Sequence, residues 1–170
     1  MSELRNLPAK FSPSSIAARN YSPRRAAAAR WLERNAADFD PDDRHELAGA
    51  TLAVLAEPSW AELFSPAALT EVGIAAVVEG QVLAGTIDRL LIEPGRIRLI
   101  DFKTTRRPPA AIDEVSSTTL RQMAAYAAAL EATYPDRPVA AAVLYTQTPM
   151  LIELPADLLA RHKPALNAAE

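Results

Sequence analysis

Two aspartates and a lysine on neighbouring segments of this sequence could together hold a metal ion and assist hydrolysis. Pro94-Gly95 predicts a turn between QVLAGTIDRLLI and RIRLIDFK, so residues that face each other across the hairpin have numbers that sum to 189. Asp88 and Asp101 therefore face each other, at the Cβ separation of about 4.5–5.5 Å that opposed residues have. Alternation places Lys103 on the same side as Asp101.

The same alternation predicts that both carboxylates lie on an apolar strand face. One face of the first strand would carry Val82, Ala84, Thr86, Asp88, Leu90 and Ile92, and the matching face of the second would carry Ile97, Leu99, Asp101 and Lys103. A one-residue slip would turn Asp101 to the other face, but a four-residue loop over 93–96 keeps the same sum. Two adjacent carboxylates in apolar surroundings must share a proton or bind a cation.

Two carboxylates with one lysine suit the metal-assisted hydrolysis of phosphodiesters. The acids hold a hard divalent ion that activates water, and the ammonium steadies the attacking water or the charge of the transition state. The chain has three lysines among its 18 basic residues, so a lysine at 103 indicates that a compact ammonium is needed there. The alternative for the three residues is a surface salt-bridge cluster.

Further polar residues downstream could contact a nucleic acid. Gln122 and Tyr126 lie at i,i+4 on a predicted helix and could hydrogen-bond a phosphate or stack on a base, or could simply pack. Arg106 and Arg107 follow the second strand in a predicted loop, where they either contact phosphate or are solvated.

Composition narrows the chemistry further. The 170 residues suggest one domain; 49% are hydrophobic and 23% charged, as in soluble globular proteins. The absence of cysteine excludes disulfides, zinc–thiolate sites and iron–sulfur clusters within this chain, and two histidines leave oxygen ligands as the donors for any metal. No segment resembles a signal peptide or a membrane span, which fits a cytoplasmic protein.

Charge is unevenly distributed along the chain. Residues 1–34 carry seven basic and two acidic side chains, whereas residues 35–80 carry one basic and nine acidic ones. Residues 81–110 are basic again. Two local basic segments permit a polyanionic partner, and the alternative is a solvated, salt-bridged surface.

The elements that must position these residues follow the order ααβββαββα. We predict a loose arm over residues 1–22, then helices from Pro23 to about Ala37 and from Pro41 to about Ala56, a three-strand meander over 69–103, a helix over 118–132, two strands and a final helix. This order predicts an α/β fold with a central mixed sheet and flanking helices. Trp31, Trp60 and Phe64 are expected to pack in the core or between domains, and the sequence contains no P-loop.

Together these residues resemble the RecB/AddA-type nuclease domain of the PD-(D/E)XK superfamily. The matching motifs are GTIDRL with Asp88, LIDFKT with Asp101 and Lys103, and RQMAAY with Gln122 and Tyr126, in the family's order and spacing. The segment LTEV, with Glu71, resembles the strand that precedes GxxDRL in that family. Glu71 would then support the site or the DNA strand, and the alternative is a charge at the end of a strand. The carboxyl-terminal stretch resembles the end of the AddA helicase-nuclease subunit.

The resemblance implies a restriction-endonuclease-like domain over residues 23–170 that acts as a metal-dependent DNA exonuclease in double-strand break repair. It implies Asp88, Asp101 and the backbone carbonyl of Phe102 as ligands of Mg²⁺ or Mn²⁺, and Lys103 as the catalytic lysine. Gln122 and Tyr126 would support the site and the DNA strand. The implied partners are DNA and either helicase domains or a second repair subunit, with no membrane, in a nucleoid-associated cytoplasmic setting.

The sequence departs from that family in two respects. The family supplies a metal-binding histidine from a preceding helix, whereas His45 is the first histidine of this chain and lies on the second predicted helix. Helicase domains are absent from this sequence, which is therefore expected to be the carboxyl-terminal piece of a helicase-nuclease or a truncated relative. Two alternatives follow: a weakly active or inactive remnant that binds DNA or a partner, and an enzyme acting on another phosphate ester.

Overall fold

A computed structural model of the chain describes residues 13–78, 80–105 and 107–163, without the side chains of residues 13–22, 76, 78, 81 and 83. The chain divides into two compact units, Met1–Pro58 and Ser59–Glu170. Residues 1–12 of the arm predicted over residues 1–22, and the loop residue Arg106, lie outside the described residues. A single nuclease domain over residues 23–170 stays a prediction.

The amino-terminal unit contains two helices, α1 (Pro13–Asn35) and α2 (Pro41–Ala56). The predicted start of α2 is confirmed, because the Asp40 side chain accepts the N–H of Asp42 and Pro41 occupies the first turn. The predicted start of α1 at Pro23 is wrong: the helix begins ten residues earlier and Pro23 lies inside it. A proline inside a helix removes one backbone donor, whereas the Ala- and Arg-rich segment that follows Pro23 consists of strong helix formers.

The carboxyl-terminal unit is built on a five-stranded mixed sheet in the order β1-β2-β3-β4-β5. The strands are β1 (Leu69–Val78), β2 (Gln81–Ile92), β3 (Ile97–Lys103), β4 (Val139–Tyr145) and β5 (Met150–Leu154). Only β3 and β4 pair in parallel, and the connection between them contains α3 (Ser117–Thr133). The predicted fold class is thereby confirmed, and α4 (Ala156–Arg161) completes the order.

The core of this unit lies between α3 and the sheet. Met123, Ala124 and Ala127 of α3 pack against Leu99 and Val143 of the two parallel strands. Ser116 caps α3 by accepting the N–H of Thr119. None of the described helices is long and apolar enough to cross a membrane.

The hairpin register matches the sequence prediction. Four β2–β3 pairs, from Arg89↔Ile100 to Ile92↔Ile97, all sum to 189. The predicted strand face of β2 is wrong in its first half, because Val82, Ala84 and Thr86 are exposed. Ile87 and Leu90, only three positions apart, instead belong to the same core cluster. The alternation of β2 therefore switches beside Asp88.

A backbone irregularity on the neighbouring strand lies at the same level as this switch. Glu71 has a φ of 50°, in the left-handed region that non-glycine residues rarely adopt. β1 and β2 pair on both sides of this point, at Thr70↔Arg89 and Val72↔Ile87, but Glu71 and Asp88 are not paired. Each strand has one residue between these two pairs, so the irregularity changes the local pairing opposite Asp88 without shifting the register.

Candidate active site

Asp88 lies where the β2–β3 ladder ends. The last paired residues are Arg89 and Ile100, and the next hydrogen-bonded pair of an antiparallel ladder would join residues 87 and 102. Instead, the Phe102 N–H donates to Asp88 Oδ2 at 2.6 Å. The carboxylate of Asp88 is therefore fixed by the backbone of β3, one position after Asp101.

Four side chains form a connected network on the α3 side of the sheet. Lys103 Nζ lies 2.7 Å from Asp101 Oδ2 and donates to Gln122 Oε1 at 2.9 Å. Gln122 Nε2 donates to Asp101 Oδ1 and to the Tyr126 hydroxyl, both at 3.3 Å. The structure thus brings together Asp101, Lys103, Gln122 and Tyr126, and the i,i+4 spacing on α3 places the last two on one face.

Asp101 is the most deeply buried of these groups. It is 4% exposed, and its burial raises the carboxyl pKa above the ordinary value. The hydrogen bond and charge of Lys103 oppose this shift, whereas the nearby charge of Asp88 adds to it. Oδ2 lies 2.7 Å from the Lys103 ammonium and has no other donor among the described residues, so one of its two lone pairs has no partner there. This buried oxygen retains unused acceptor capacity.

Gly85, the glycine of the GxxD motif, makes room for Tyr126. A Cβ built on Gly85 would lie 2.6 Å from Tyr126 Cε1 and in hard contact with the hydroxyl oxygen. A side chain at position 85 would therefore displace the tyrosine, and Gln122 would lose a hydrogen-bond partner. Glycine is required here for close approach rather than for a special backbone angle.

Gly85→Ala is expected to destabilise the protein by about 1–3 kcal/mol and to lower cleavage at least tenfold, because overpacking moves Tyr126. Gly73→Ala on β1 is the matched control, since nothing lies within 4 Å of its built Cβ. Thermal unfolding and cleavage rates of both variants measure the two effects. Equal behaviour of the two variants would contradict this role of Gly85.

A cleft of about 720 Å³ adjoins the network. Its lining includes Lys103, Thr104, Thr105, Arg107, Ser116 and Tyr145. Arg107 therefore shares a cleft with Lys103, and its guanidinium adds positive charge there. Arg106 lies outside the described residues, so its predicted phosphate contact stays a prediction.

Glu71 is not part of the side-chain network. Its side chain is exposed, and no group of three or more acidic, histidine or cysteine residues in the described part of the chain could hold a metal. Its visible contribution is the backbone irregularity opposite Asp88. A supporting or DNA-contacting role of its carboxylate stays a prediction.

Variants at position 71 can separate the backbone role from a side-chain role. Glu71→Gly is expected to stabilise the fold by roughly 0.5–1 kcal/mol, because glycine adopts this φ without the cost that other residues bear. The cleavage rate of this variant should remain near that of the wild type if position 71 acts only through its backbone conformation. Glu71→Val should destabilise the fold, since a β-branched residue is strained at this φ. Loss of cleavage in a stable glycine variant would assign a role to the carboxylate.

Two residues near the site escaped the sequence analysis. Arg89 lies over the rings of Phe64 and Phe102, at 5.7 and 5.5 Å, and donates to the Asp88 carbonyl at 3.2 Å. Its position directly after Asp88 in the sequence was the signal that could have identified it as a residue near the site. Tyr145 pairs with Lys103 across the parallel strands, and burial, with the charge of Asp101, raises its pKa. No local pattern predicts a partner that lies beyond a crossover helix.

The site fits a hard divalent cation. Its donors are oxygen atoms: the buried Asp101 Oδ2 with its unused acceptor capacity and the Asp88 carboxylate. Mg²⁺ keeps several waters and needs only one or two carboxylates from the protein. No histidine or further acidic residue of the described chain joins the two aspartates.

The fold of this chain resembles that of a solved protein. A candidate exonuclease from Eubacterium rectale has a similar crystal structure, with a TM-score of 0.52 and 13% identity over 92% of this chain; the chain spans 64% of that protein's length. The crystal structure of SSO0001 aligns with a TM-score of 0.37 and 16% identity, over 82% of this chain and 67% of that one. No curated protein matches the chain.

The sequence itself assigns the family. The model of the PD-(D/E)XK nuclease superfamily matches residues 12–166. This range includes β2, β3 and α3, which carry Asp88, Asp101, Lys103, Gln122 and Tyr126. The chain belongs to the PD-(D/E)XK nuclease superfamily.

Proposed function

We propose that the protein is a divalent-metal-dependent deoxyribonuclease that hydrolyses phosphodiester bonds, acting as an exonuclease. The observation that carries this proposal is the buried Asp101 carboxylate with Lys103 at 2.7 Å and Asp88 anchored to the next backbone N–H. Asp88, Asp101 and the carbonyl of Phe102 would hold Mg²⁺ or Mn²⁺. When bound, such an ion supplies Lewis-acid activation of water and neutralises phosphate charge.

Lys103 is the group that would meet the attacking water or the developing phosphate charge. Its ammonium has three donors; one binds Gln122 and another faces Asp101, which leaves a donor for the reacting groups. Its side chain is 30% exposed, so substrate can reach it. Gln122 holds the ammonium, and Tyr126 in turn holds Gln122. A fixed ammonium lowers the reorganisation needed when charge develops on the phosphate.

The cellular role is a finer proposal. We place the protein in double-strand break repair, on DNA of the nucleoid, as the nuclease piece of a helicase-nuclease that works with helicase domains or a second repair subunit. The resemblance of the ordered motifs and of the carboxyl-terminal stretch to AddA-type subunits supports this proposal.

A cleavage assay tests the function directly. End-labelled single- and double-stranded DNA is incubated with the pure protein and Mg²⁺, Mn²⁺ or EDTA; metal-dependent release of nucleotides from one end is the expected result. Weak turnover is expected from this chain alone, because few of its residues would hold the ion and DNA reaches the site by diffusion. If the protein cleaves DNA with none of the ions, even after it is fused to the end of an upstream helicase frame, the enzyme proposal is wrong. In that case the protein is a remnant that binds DNA or a partner.

A further inference from the structure

One side of α1 carries a stripe of basic and aromatic side chains: Arg24, Arg30, Trp31 and Arg34, here called the α1 stripe. At about 100° per residue, these four positions span an arc of roughly 120°. The buried Leu32 lies on the opposite side of the helix. The sequence analysis expected Trp31 to pack in the core or between domains; the core alternative is wrong, because its side chain is 60% exposed.

The arginines of the stripe have no acidic partner among the described residues. Arg24 donates one nitrogen to the Leu55 carbonyl at 3.4 Å, and Arg34 donates one to the Arg30 carbonyl at 3.1 Å. A guanidinium has five N–H donors, so most of this capacity remains available. Glu33 falls outside the arc. The positive charges of this helix face therefore do not alternate with negative charges, as they do on ordinary solvated helices.

We propose that the α1 stripe binds single-stranded DNA, with a base stacked on Trp31 and phosphates bound by the three arginines. Arginine-rich surfaces with an exposed aromatic ring match both parts of a nucleotide: the guanidinium fork fits phosphate, and every base has a face that can stack. Charge favours this occupant over an apolar protein surface, because three unpaired cations next to Trp31 would be costly to bury without anions.

This proposal rests on the proposed function in one respect, namely that the substrate is DNA. The stripe lies wholly within the amino-terminal unit and includes none of the residues assigned to cleavage. DNA binding by the stripe can therefore be measured without turnover, and the two proposals can fail separately.

Trp31 itself provides the readout. The chain has two tryptophans, so Trp60→Phe leaves Trp31 as the only one. We expect an oligo-thymidine titration in EDTA to quench the Trp31 emission of this variant. A second titration uses the variant Trp31→Ala with Trp60 retained, and measures binding by the anisotropy of labelled DNA. This variant should bind roughly 5- to 150-fold more weakly, which is the range for the loss of one stacked base.

Salt dependence tests the arginines. Each of Arg24→Gln, Arg30→Gln and Arg34→Gln should reduce the slope of log affinity against log salt by about 0.7, and the triple variant by about 2. Arg25→Gln is the matched control, because Arg25 lies on the other side of the same helix, 3.4 Å from His45 Nε2. An unchanged slope in the triple variant, or an equal change in the control, would overturn the proposal.

Other outcomes are equally decisive. Unchanged Trp31 emission on saturation with DNA overturns the proposal, even if the protein cleaves DNA. An emission shift that depends on protein concentration and not on DNA assigns the stripe to a second copy of the chain and also overturns it. Quenching without any cleavage supports the stripe while the proposed nuclease function fails.

Discussion

Lys103→Ala is expected to abolish DNA cleavage and to leave DNA affinity within about twofold of the wild type. Removing one preorganised donor from a developing anion costs about 10²–10³ in rate in other enzymes, and here the lost group carries a full charge. Affinity depends on many phosphate contacts, of which one lysine contributes a small share. Single-turnover cleavage and DNA binding in EDTA measure the two quantities separately.

Lys163→Ala is the matched control for this variant. Lys163 forms an ion pair with Glu131 at 2.8 Å on the surface, away from the Gln122 network. Its removal should change neither cleavage nor binding. Lys103→Arg should remain largely inactive, because the planar guanidinium cannot reproduce the compact contacts to Asp101 and Gln122. Retention of more than a tenth of wild-type cleavage by Lys103→Ala would remove this lysine from the chemistry.

Most of the site was accessible from local sequence patterns. The sum of 189 across the Pro94-Gly95 hairpin predicted the register that four strand pairs confirm. The i,i+4 spacing of Gln122 and Tyr126 predicted that both project from one face of α3, and both join the Lys103 network. These inferences succeed because a strand and a helix impose fixed periods on their side chains.

The sequence predictions were wrong where the backbone departs from the regular repeat of a strand or a helix, or where residue type alone was used. The sequence assigned Thr86 and Asp88 to one face, but the alternation of β2 switches between them, and nothing in LTEV announces that Glu71 adopts a left-handed φ. Ser22-Pro23 has the residues of a helix start, yet the helix continues upstream of it. Trp31 was assigned to core or interdomain packing on residue type alone, which does not determine exposure.

Contacts across the crossover helix were also beyond sequence reasoning. Tyr145 stands beside Lys103 because β3 and β4 pair in parallel, and that register is set by α3 and the loops around it. Gly85 could be recognised as part of a motif, but its reason, the close approach of Tyr126, depends on where α3 docks. Tertiary packing therefore determines which motif residues touch.

Asp101→Asn is expected to be more stable than the wild type at neutral pH without metal, and to lose the stabilisation by Mg²⁺ or Mn²⁺. Burial holds the pKa of Asp101 above its ordinary value. A raised folded-state pKa stabilises the fold at low pH, below the unfolded-state value, and that stabilisation disappears as the pH rises through the folded value. The neutral asparagine avoids the cost of a buried charge, and Lys103 stays hydrogen-bonded to Gln122 and partly solvated.

Melting temperatures with and without metal, measured from pH 4 to 8, test this prediction. The advantage of Asp101→Asn should grow with pH, and each kcal/mol gained should appear as roughly 2–4 °C at this chain length. At a metal concentration 100 times the dissociation constant, the free energy of unfolding of the wild type should rise by about 2.7 kcal/mol, whereas that of the variant should change little. Metal should protect less at low pH, because protons compete for the carboxylate.

Asp157→Asn provides a control of opposite sign. Asp157 is exposed, and its hydrogen bond with Arg161 at 2.9 Å lowers its pKa. A lowered pKa stabilises the fold above the unfolded-state value, so this variant should lose a little stability at neutral pH and none at acidic pH. Its metal response should equal that of the wild type. Equal metal-induced shifts in the wild type and in Asp101→Asn would show that the ion binds elsewhere, and Asp88 and Asp101 would then be a structural pair.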